Sequence, residues 1–154
     1  MTENQRSIWQ LRLEGFRAAD ISRRMGKSRQ YVSKSLQSSD SKIYRALAEA
    51  ARMNKVLIRK MDPERGFVTG HSRDLGASVL LTFSPAEGIN VWTPHKGQCE
   101  GCPDQAHCRS LLLREARRLG VEIPEEEMAP SLLAAYIYGN AWPETKEIFG
   151  EVEA

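Results

Sequence analysis

The sequence predicts an α+β protein: a helical N-terminal domain, a linking helix, a small antiparallel β-meander and C-terminal helices. Three observations support this class. Apolar residues recur at helical spacing in the first third of the chain, short apolar or alternating runs bounded by turn residues follow, and helical spacing returns after a cysteine-rich segment. With 154 residues, 41% of them hydrophobic, the chain is long enough to bury a core without disulfides. We place the N-terminal domain at residues 1–39, or to about 54, the linking helix at 40–62, and an α+β C-terminal domain with the cysteine-rich segment 95–108 at 63–154.

Charge divides the chain into two unlike parts. Residues 1–60 hold 14 Lys and Arg against 5 Asp and Glu, a balance of +9, whereas residues 61–154 hold 8 against 15, a balance of −7. A basic module joined to an acidic body favours a polyanion as the partner of the basic part. A chance distribution of solvated charge is the alternative.

The expected location follows from what the sequence lacks. No apolar run approaches the roughly 18 residues that a membrane-spanning helix requires. The first residues, MTENQR, do not form the apolar stretch of a signal peptide. We therefore expect a cytoplasmic protein.

The N-terminal domain is predicted to contain three short helices. Gly15 follows the first periodic segment, Gly26 supplies a tight turn after the second, at 18–25, and Ser28 is suited to cap the third. Helical spacing places one apolar row on the inner face of each helix. These rows consist of Ile8 and Leu11, Ile21 and Met25, and Val32 and Leu36.

Residues 19–36, ADISRRMGKSRQYVSKSL, resemble the helix-turn-helix family, in the form found in quorum-sensing response regulators and in region four of sigma factors. The resemblance covers roughly residues 5–54 and rests on the spacing of small, apolar, glycine and capping residues. Ser22 departs from the family pattern, in which Ala is commoner. Its small side chain still permits a close crossing of the two helices.

The resemblance implies that the helix from Arg29 to Leu36 enters the major groove of double-stranded DNA. The residue types agree independently, because Arg pairs with guanine, Gln with adenine, and Ser and Lys with phosphates. We expect Arg29, Gln30 and Ser33 to read bases. The full set of predicted DNA contacts is Arg17, Arg23, Arg24, Lys27, Ser28, Arg29, Gln30, Ser33, Lys34 and Gln37. The alternative is a three-helix bundle whose basic face serves protein contacts.

Residues 40–62 are predicted to form a linking helix that ends before the Asp62-Pro63 pair, where proline forces a stop. An alternative ends the helix near Asn54 and makes residues 56–58 a strand. The apolar stripe of the linking helix would supply the two-fold contact of a homodimer, or would pack on the C-terminal domain instead. This stripe consists of Ile43, Leu47, Ala50, Leu57 and Met61.

Three strands are expected in the middle of the chain, at residues 66–71, 77–83 and 89–93, joined by turns into an antiparallel meander. Phe67, Phe83 and Trp92 are predicted core residues. Further helices are expected at 109–119 and after Ser131.

Residues 95–108 carry the strongest chemical signal, because all three cysteines of the chain lie there as C-x2-C-x5-C. Three cysteines within ten residues point to a metal or redox site rather than to a disulfide framework. Cys99, Cys102 and Cys108 with His95 would complete a tetrahedral Zn²⁺ site, and His107 competes with His95 as the fourth ligand. The motif also resembles iron–sulfur motifs of RecB-like nucleases and radical-class maturases, so an iron–sulfur cluster and unmetallated thiols remain alternatives.

Together these features predict a non-enzymatic, sequence-specific DNA-binding transcriptional regulator with a metal-stabilised C-terminal domain, acting as a homodimer at the nucleoid. One alternative is a DNA-binding regulator that senses redox state through an iron–sulfur cluster or its thiols. Another is an accessory to a DNA-targeted enzyme. No nucleophile–base set or carboxylate cluster in the sequence supports catalysis.

Overall fold

The computed structural model describes residues 1–94, 99, 101–124 and 128–149. These residues form an α+β fold, which confirms the predicted class. Its elements are α1 (Glu3–Leu13), α2 (Ala18–Met25), α3 (Arg29–Met53), β1 (Val56–Asp62), β2 (Phe67–Ser72), β3 (Ala77–Ser84), β4 (Gly88–Trp92), α4 (Gln105–Leu119), α5 (Pro130–Ala141), a 3₁₀ turn (Pro143–Thr145) and α6 (Lys146–Phe149).

Local capping fixes the boundaries of the N-terminal helices. Thr2 and Gln5 form a reciprocal capping box at the start of α1. Gly26 ends α2 in the left-handed conformation, with φ 62° and ψ 33°, which glycine adopts without steric cost. The Ser28 hydroxyl accepts a hydrogen bond from the Tyr31 backbone N–H at 3.0 Å and caps α3. The predicted second helix, turn and cap are confirmed.

The linking helix differs from the prediction at both ends. The third short helix and the linking helix are one continuous helix, α3, which has 25 residues and ends at Met53. The Asn54 side chain donates to the Ala50 carbonyl at 2.8 Å, and Lys55 adopts a left-handed φ of 54°, so the helix stops there. Residues 56–62 form a strand, so the prediction of a helix up to residue 62 is wrong and the alternative ending near Asn54 is right.

The four strands form one antiparallel sheet in the order β1-β2-β3-β4, which is the predicted meander with one additional strand at its edge. Adjacent residues of β2 and β3 face opposite sides of the sheet. Helices α1 and α3 cover one side, where Val68, Val79 and Leu81 are buried. Helices α4 and α5 cover the other side, where Phe67 and Leu80 are buried. Both faces of the sheet are therefore part of a core.

The apolar stripe expected at a dimer interface is not one surface. Ile43 and Leu47 lie on the face of α3 that packs on the sheet, and their exposed fractions are 1% and 0%. Leu57 lies on β1 and is 49% exposed. The prediction that these residues form a self-complementary patch is wrong, because the sheet already covers the helical half of the stripe. In the described part of the chain, no helix is long and apolar enough to cross a membrane.

Candidate nucleic-acid interface and cysteine pocket

A small core positions the first three helices. Ile8 of α1, Ile21 of α2 and Val32 of α3 are all fully buried and contact one another. Partly buried Phe16 and Leu36 pack around them. Because each helix contributes one residue to this core, the opposite faces of α2 and of the first turns of α3 are turned outward.

All ten residues predicted to contact DNA are exposed, and they lie on one continuous segment made of α2, the turn after it and the first half of α3. Residues 17–37 contain six cationic side chains and a single acid, Asp20. The Arg23 guanidinium pairs with Asp20 at 2.5 Å, and this hydrogen bond lowers the pKa of the Asp20 carboxyl. The segment therefore presents a strongly positive surface.

Contacts divide these side chains into two groups. Some are held by neighbours: the Arg24 guanidinium lies 4.0 Å from the centre of the Phe16 ring, and Lys27 Nζ lies 5.3 Å from that of Tyr31. By contrast, the Arg29 and Lys34 side chains form no hydrogen bond or ion pair with any residue that the structure describes. Among the described residues, they have no hydrogen bond or ion pair to break when they meet a ligand.

The outer face of α3 extends beyond the predicted set. Arg45 is exposed and follows Lys34 by eleven residues, which is three helical turns, so the two side chains lie on the same face. Half-exposed Tyr44 is its neighbour. Sequence reasoning did not include Arg45 because it placed the end of the third helix before this residue. The spacing from Lys34 is the signal that would have found it.

The cysteine segment surrounds a cavity. Cys99, Cys102 and Cys108 all line one cavity of about 320 Å³ between the end of β4, the start of α4, and α5 and α6. Asp104 also lines it, and Trp92 and the other apolar lining residues complete the wall. Cys99 and Cys108 are half-buried, while Cys102 is exposed. The three cysteines thus line the same cavity.

Backbone hydrogen bonds form the turn that carries the first two cysteines. The Cys102 N–H donates to the Cys99 carbonyl at 3.1 Å, and Gly101 between them has a φ of 78°. The Cys108 N–H donates to the Asp104 carbonyl at 2.9 Å and begins the helical pattern of α4. Burial, with the charges of Asp104 and the other two cysteines, raises the pKa of the Cys108 thiol.

The predicted tetrahedral zinc site is not assembled in the described residues. No group of three or more His, Cys, Asp or Glu side chains there is arranged so that it could hold one metal ion. His95 lies outside the described residues. His107 is described, is exposed, and is not among the residues that line the cavity.

Helix α4 connects the cysteine cavity with the N-terminal helices. Cys108 lies in its first turn. At its other end, the Arg118 carbonyl accepts a hydrogen bond from Gln10 Nε2 at 3.1 Å, and the Arg118 guanidinium lies 5.9 Å from the centre of the Trp9 ring. Arg118 also pairs with the buried Glu115 carboxylate at 2.5 Å, which fixes the orientation of its side chain.

Comparison with known proteins does not assign a family. No protein-family model matches the sequence, and no curated protein or solved structure matches it. The functional interpretation therefore depends on the residues and their arrangement.

Proposed function

We propose that this protein binds double-stranded DNA through the outer faces of α2 and the first half of α3, and that it acts as a sequence-specific transcriptional regulator. One observation carries the proposal. Ten side chains suited to bases and phosphates are all exposed on one segment, residues 17–37, which contains six cations and one acid. Binding of this kind would hold the protein at the nucleoid.

The dimensions of the segment are compatible with a major groove. An α-helix with its side chains is about 10–12 Å in diameter, and the groove is about 12 Å wide, so the exposed first half of α3 can enter it. Arg29, Gln30 and Ser33 lie in the first turns of the helix, where contacts to base edges are made in helix-turn-helix complexes. The Ser28 hydroxyl accepts the capping hydrogen bond from the Tyr31 N–H, and its own O–H can still donate to a phosphate oxygen.

The surrounding cations would hold the phosphate backbone on either side of these base contacts. Arg17 precedes α2, Arg24 and Lys27 flank the turn, and Lys34 follows on α3. Arg23 would exchange its ion pair with Asp20 for a phosphate oxygen. Phosphate contacts position the protein, whereas base contacts specify the sequence, so the two groups of residues have different expected phenotypes.

The test is to select the preferred site from a randomised DNA library and to compare variants on it. Arg29→Ala should weaken binding to that site by about 1–3 kcal/mol and relax one base position. Lys34→Ala should weaken binding to all sequences alike and lower the slope of log affinity against log salt by about one. Arg52→Ala is the matched control, because Arg52 lies exposed at the far end of α3 and pairs with Glu49 at 2.6 Å.

Circular dichroism must show that each variant retains its helices before affinities are compared. Equal affinity of Arg29→Ala and the wild-type protein for every member of the library would contradict the proposal. A loss in Arg52→Ala as large as that in Arg29→Ala would show that the contact surface is elsewhere.

We also propose that the protein binds DNA as a homodimer. Its interface would not be the apolar stripe of the linking helix, because Ile43 and Leu47 are buried. A single module buries little surface on DNA, and two-fold pairing would select palindromes whose half-sites lie about 34–36 Å apart. Light scattering at micromolar concentration should give twice the chain mass of 17.4 kDa. A mass of one chain, unchanged when the selected DNA is added, would leave a monomeric reader of asymmetric sites.

A second candidate function is regulation of DNA binding by the state of the cysteines, through thiol oxidation or a bound metal centre. Helix α4 favours it, since this helix carries Cys108 in its first turn and its other end contacts Trp9 and Gln10 of α1. A change at the first turn of α4 would therefore act on a helix whose other end contacts α1. DNA affinity should change when the thiols are oxidised, and Cys102→Ser should reduce that response. An affinity that is independent of oxidation would exclude this function while leaving DNA binding itself intact.

A further inference from the structure

The proposed DNA contacts on α2 and α3 do not involve the three cysteines that line the cavity. The chain contains three cysteines, and all three line the same cavity of about 320 Å³. They come from two different backbone features, the turn at residues 99–102 and the first turn of α4. Thiolates are soft ligands that suit zinc and iron–sulfur clusters, so three of them lining one space from two elements favour a metal cofactor.

In the described residues, the three cysteines are not gathered as the ligands of a single zinc ion. Zinc binds thiolates at about 2.3 Å in a tetrahedron, so the ligand sulfurs lie about 3.8 Å from one another. In the described residues no three metal-ligating side chains could hold one ion, although three cysteines and Asp104 line the cavity. The three cysteines instead share the wall of this cavity.

We propose that Cys99, Cys102 and Cys108 bind an iron–sulfur cluster in this cavity. The thiolates of such a cluster bind different irons, so they enclose the cluster and need not approach one another as closely as zinc ligands do. The proposal concerns the cofactor alone and stands independently of DNA binding.

The surroundings of the cavity suit a cluster. Apolar side chains, among them Trp92, Ala134 and Phe149, line its wall and would shield the cluster from water, which tunes its potential. Cys108 lies in the first turn of the 15-residue α4, where the helix dipole favours negative charge. With three cysteines in the chain, a four-iron cluster keeps one iron without a cysteine ligand. Asp104, the one acid among the described lining residues, is placed to serve it.

Anaerobic reconstitution of the full chain with ferrous iron and sulfide tests the proposal directly. A brown protein with broad visible absorption, and with iron and acid-labile sulfide at about four of each per chain, is the expected result. A colourless protein that instead takes up one zinc ion per chain would overturn the cluster in favour of a zinc staple. A protein that retains neither metal would show that the thiols are unmetallated.

Variants identify the ligands. Cys102→Ser should lose most of the absorption and most of the bound iron. His107→Ala is the matched control, because His107 adjoins Cys108 in sequence yet does not line the cavity, and it should retain both. Since loss of a ligand can also unfold the chain, circular dichroism of each apo-protein is recorded first, and Cys99→Ser replaces any variant that fails to fold. Full cluster content in both cysteine variants, or equal loss in His107→Ala, would overturn the assignment.

Discussion

Helix α3 belongs to two cores, and this predicts that the N-terminal helices and the sheet unfold together. Val32, near its start, is buried with Ile8 and Ile21, whereas Leu47, four turns later, is buried against the sheet. Trp9 of α1 also enters the sheet core, where its ring makes an edge contact with Phe83 at 5.4 Å between centroids. The perturbation that tests this coupling is Leu47→Ala.

The size of the effect follows from burial. Leu47 is 0% exposed, and replacing a fully buried leucine with alanine costs about 2–5 kcal/mol through lost transfer energy and the residual cavity. Domains are stable by only about 5–15 kcal/mol, so this is a large part of the total. With a urea m-value of about 2 kcal/mol/M, the midpoint should fall by about 1 M or more. Tyr44→Ala is the control, since Tyr44 lies on the same helix and is 52% exposed.

The assay is urea unfolding followed by NMR, with resolved amide signals from α2 and from β3. Both sets should lose intensity at one midpoint in the wild-type protein, and Leu47→Ala should shift both midpoints by the same amount. Tyr44→Ala should leave them within the range of ordinary surface substitutions, about 0.5 kcal/mol. If the α2 signals kept the wild-type midpoint while the β3 signals shifted, the N-terminal helices would be an independent unit and the reasoning would be refuted.

Three further predictions concern stability. Gly70→Ala should lower the melting temperature, because its Cβ would lie 2.5 Å from a carbonyl oxygen of β1, whereas Gly139→Ala should not, since only a flexible side chain lies 3.3 Å away. Arg12→Ala should cost about 1–2 kcal/mol in chemical denaturation, because it removes a half-buried ion pair between α1 and α3; no measurable change would contradict that contact. The hydrogen bond from Arg65 lowers the pKa of Glu144 below 4.5. The contribution of ionised Glu144 to the free energy of unfolding should therefore be complete above pH 4.5 and disappear as the pH falls through the lowered pKa. Glu144→Gln should make the free energy of unfolding depend less on pH over that acidic range, and an unchanged pH profile would refute this.

The N-terminal helices were predictable because their signals are local. Gly26 and Ser28 act on the backbone within a few residues of their own positions, so their effect can be read without knowing the rest of the fold. The strands β2 to β4 were equally accessible, since short turns join them and alternation marks their faces. The exposure of the ten candidate DNA contacts follows from the same helical periodicity.

The boundary between α3 and β1 was not predictable in the same way. Leu57 and Met61 continue a helical spacing from α3, so the pattern alone is compatible with one long helix. The strand conformation depends on pairing with β2, in which Ile58 lies opposite Gly70. That glycine lets the backbone of β1 approach closely. Ile58 and Gly70 are twelve residues apart in the sequence, so the propensities of the residues around Ile58 cannot predict this pairing.

The cysteines show the same limit for a site. Their spacing predicted that the thiols come together, and the hydrogen bond between the Cys102 N–H and the Cys99 carbonyl produces the expected turn. The spacing of the cysteines cannot predict the size of the cavity that they line, because α5 and α6 supply part of its wall. The choice between a single ion and a cluster therefore depends on tertiary structure.

The buried network at the end of α4 determines how a change at the cysteines could reach the N-terminal helices. Glu115 is buried, with an exposed fraction of 1%. The Arg118 guanidinium balances the charge of its carboxylate, and the Tyr138 hydroxyl of α5 donates a hydrogen bond to that carboxylate at 3.3 Å. Burial and the charge of Glu115 raise the pKa of Tyr138, so the phenol keeps its proton and remains a donor. The hydrogen bond from Tyr138 joins α4 to α5, and the two helices also share the core that contains Leu112 and Leu133. A shift of α4 along its axis would have to break these contacts or the hydrogen bond from Gln10, so any signal from Cys108 must move α4 and α5 together or change the packing of Trp9.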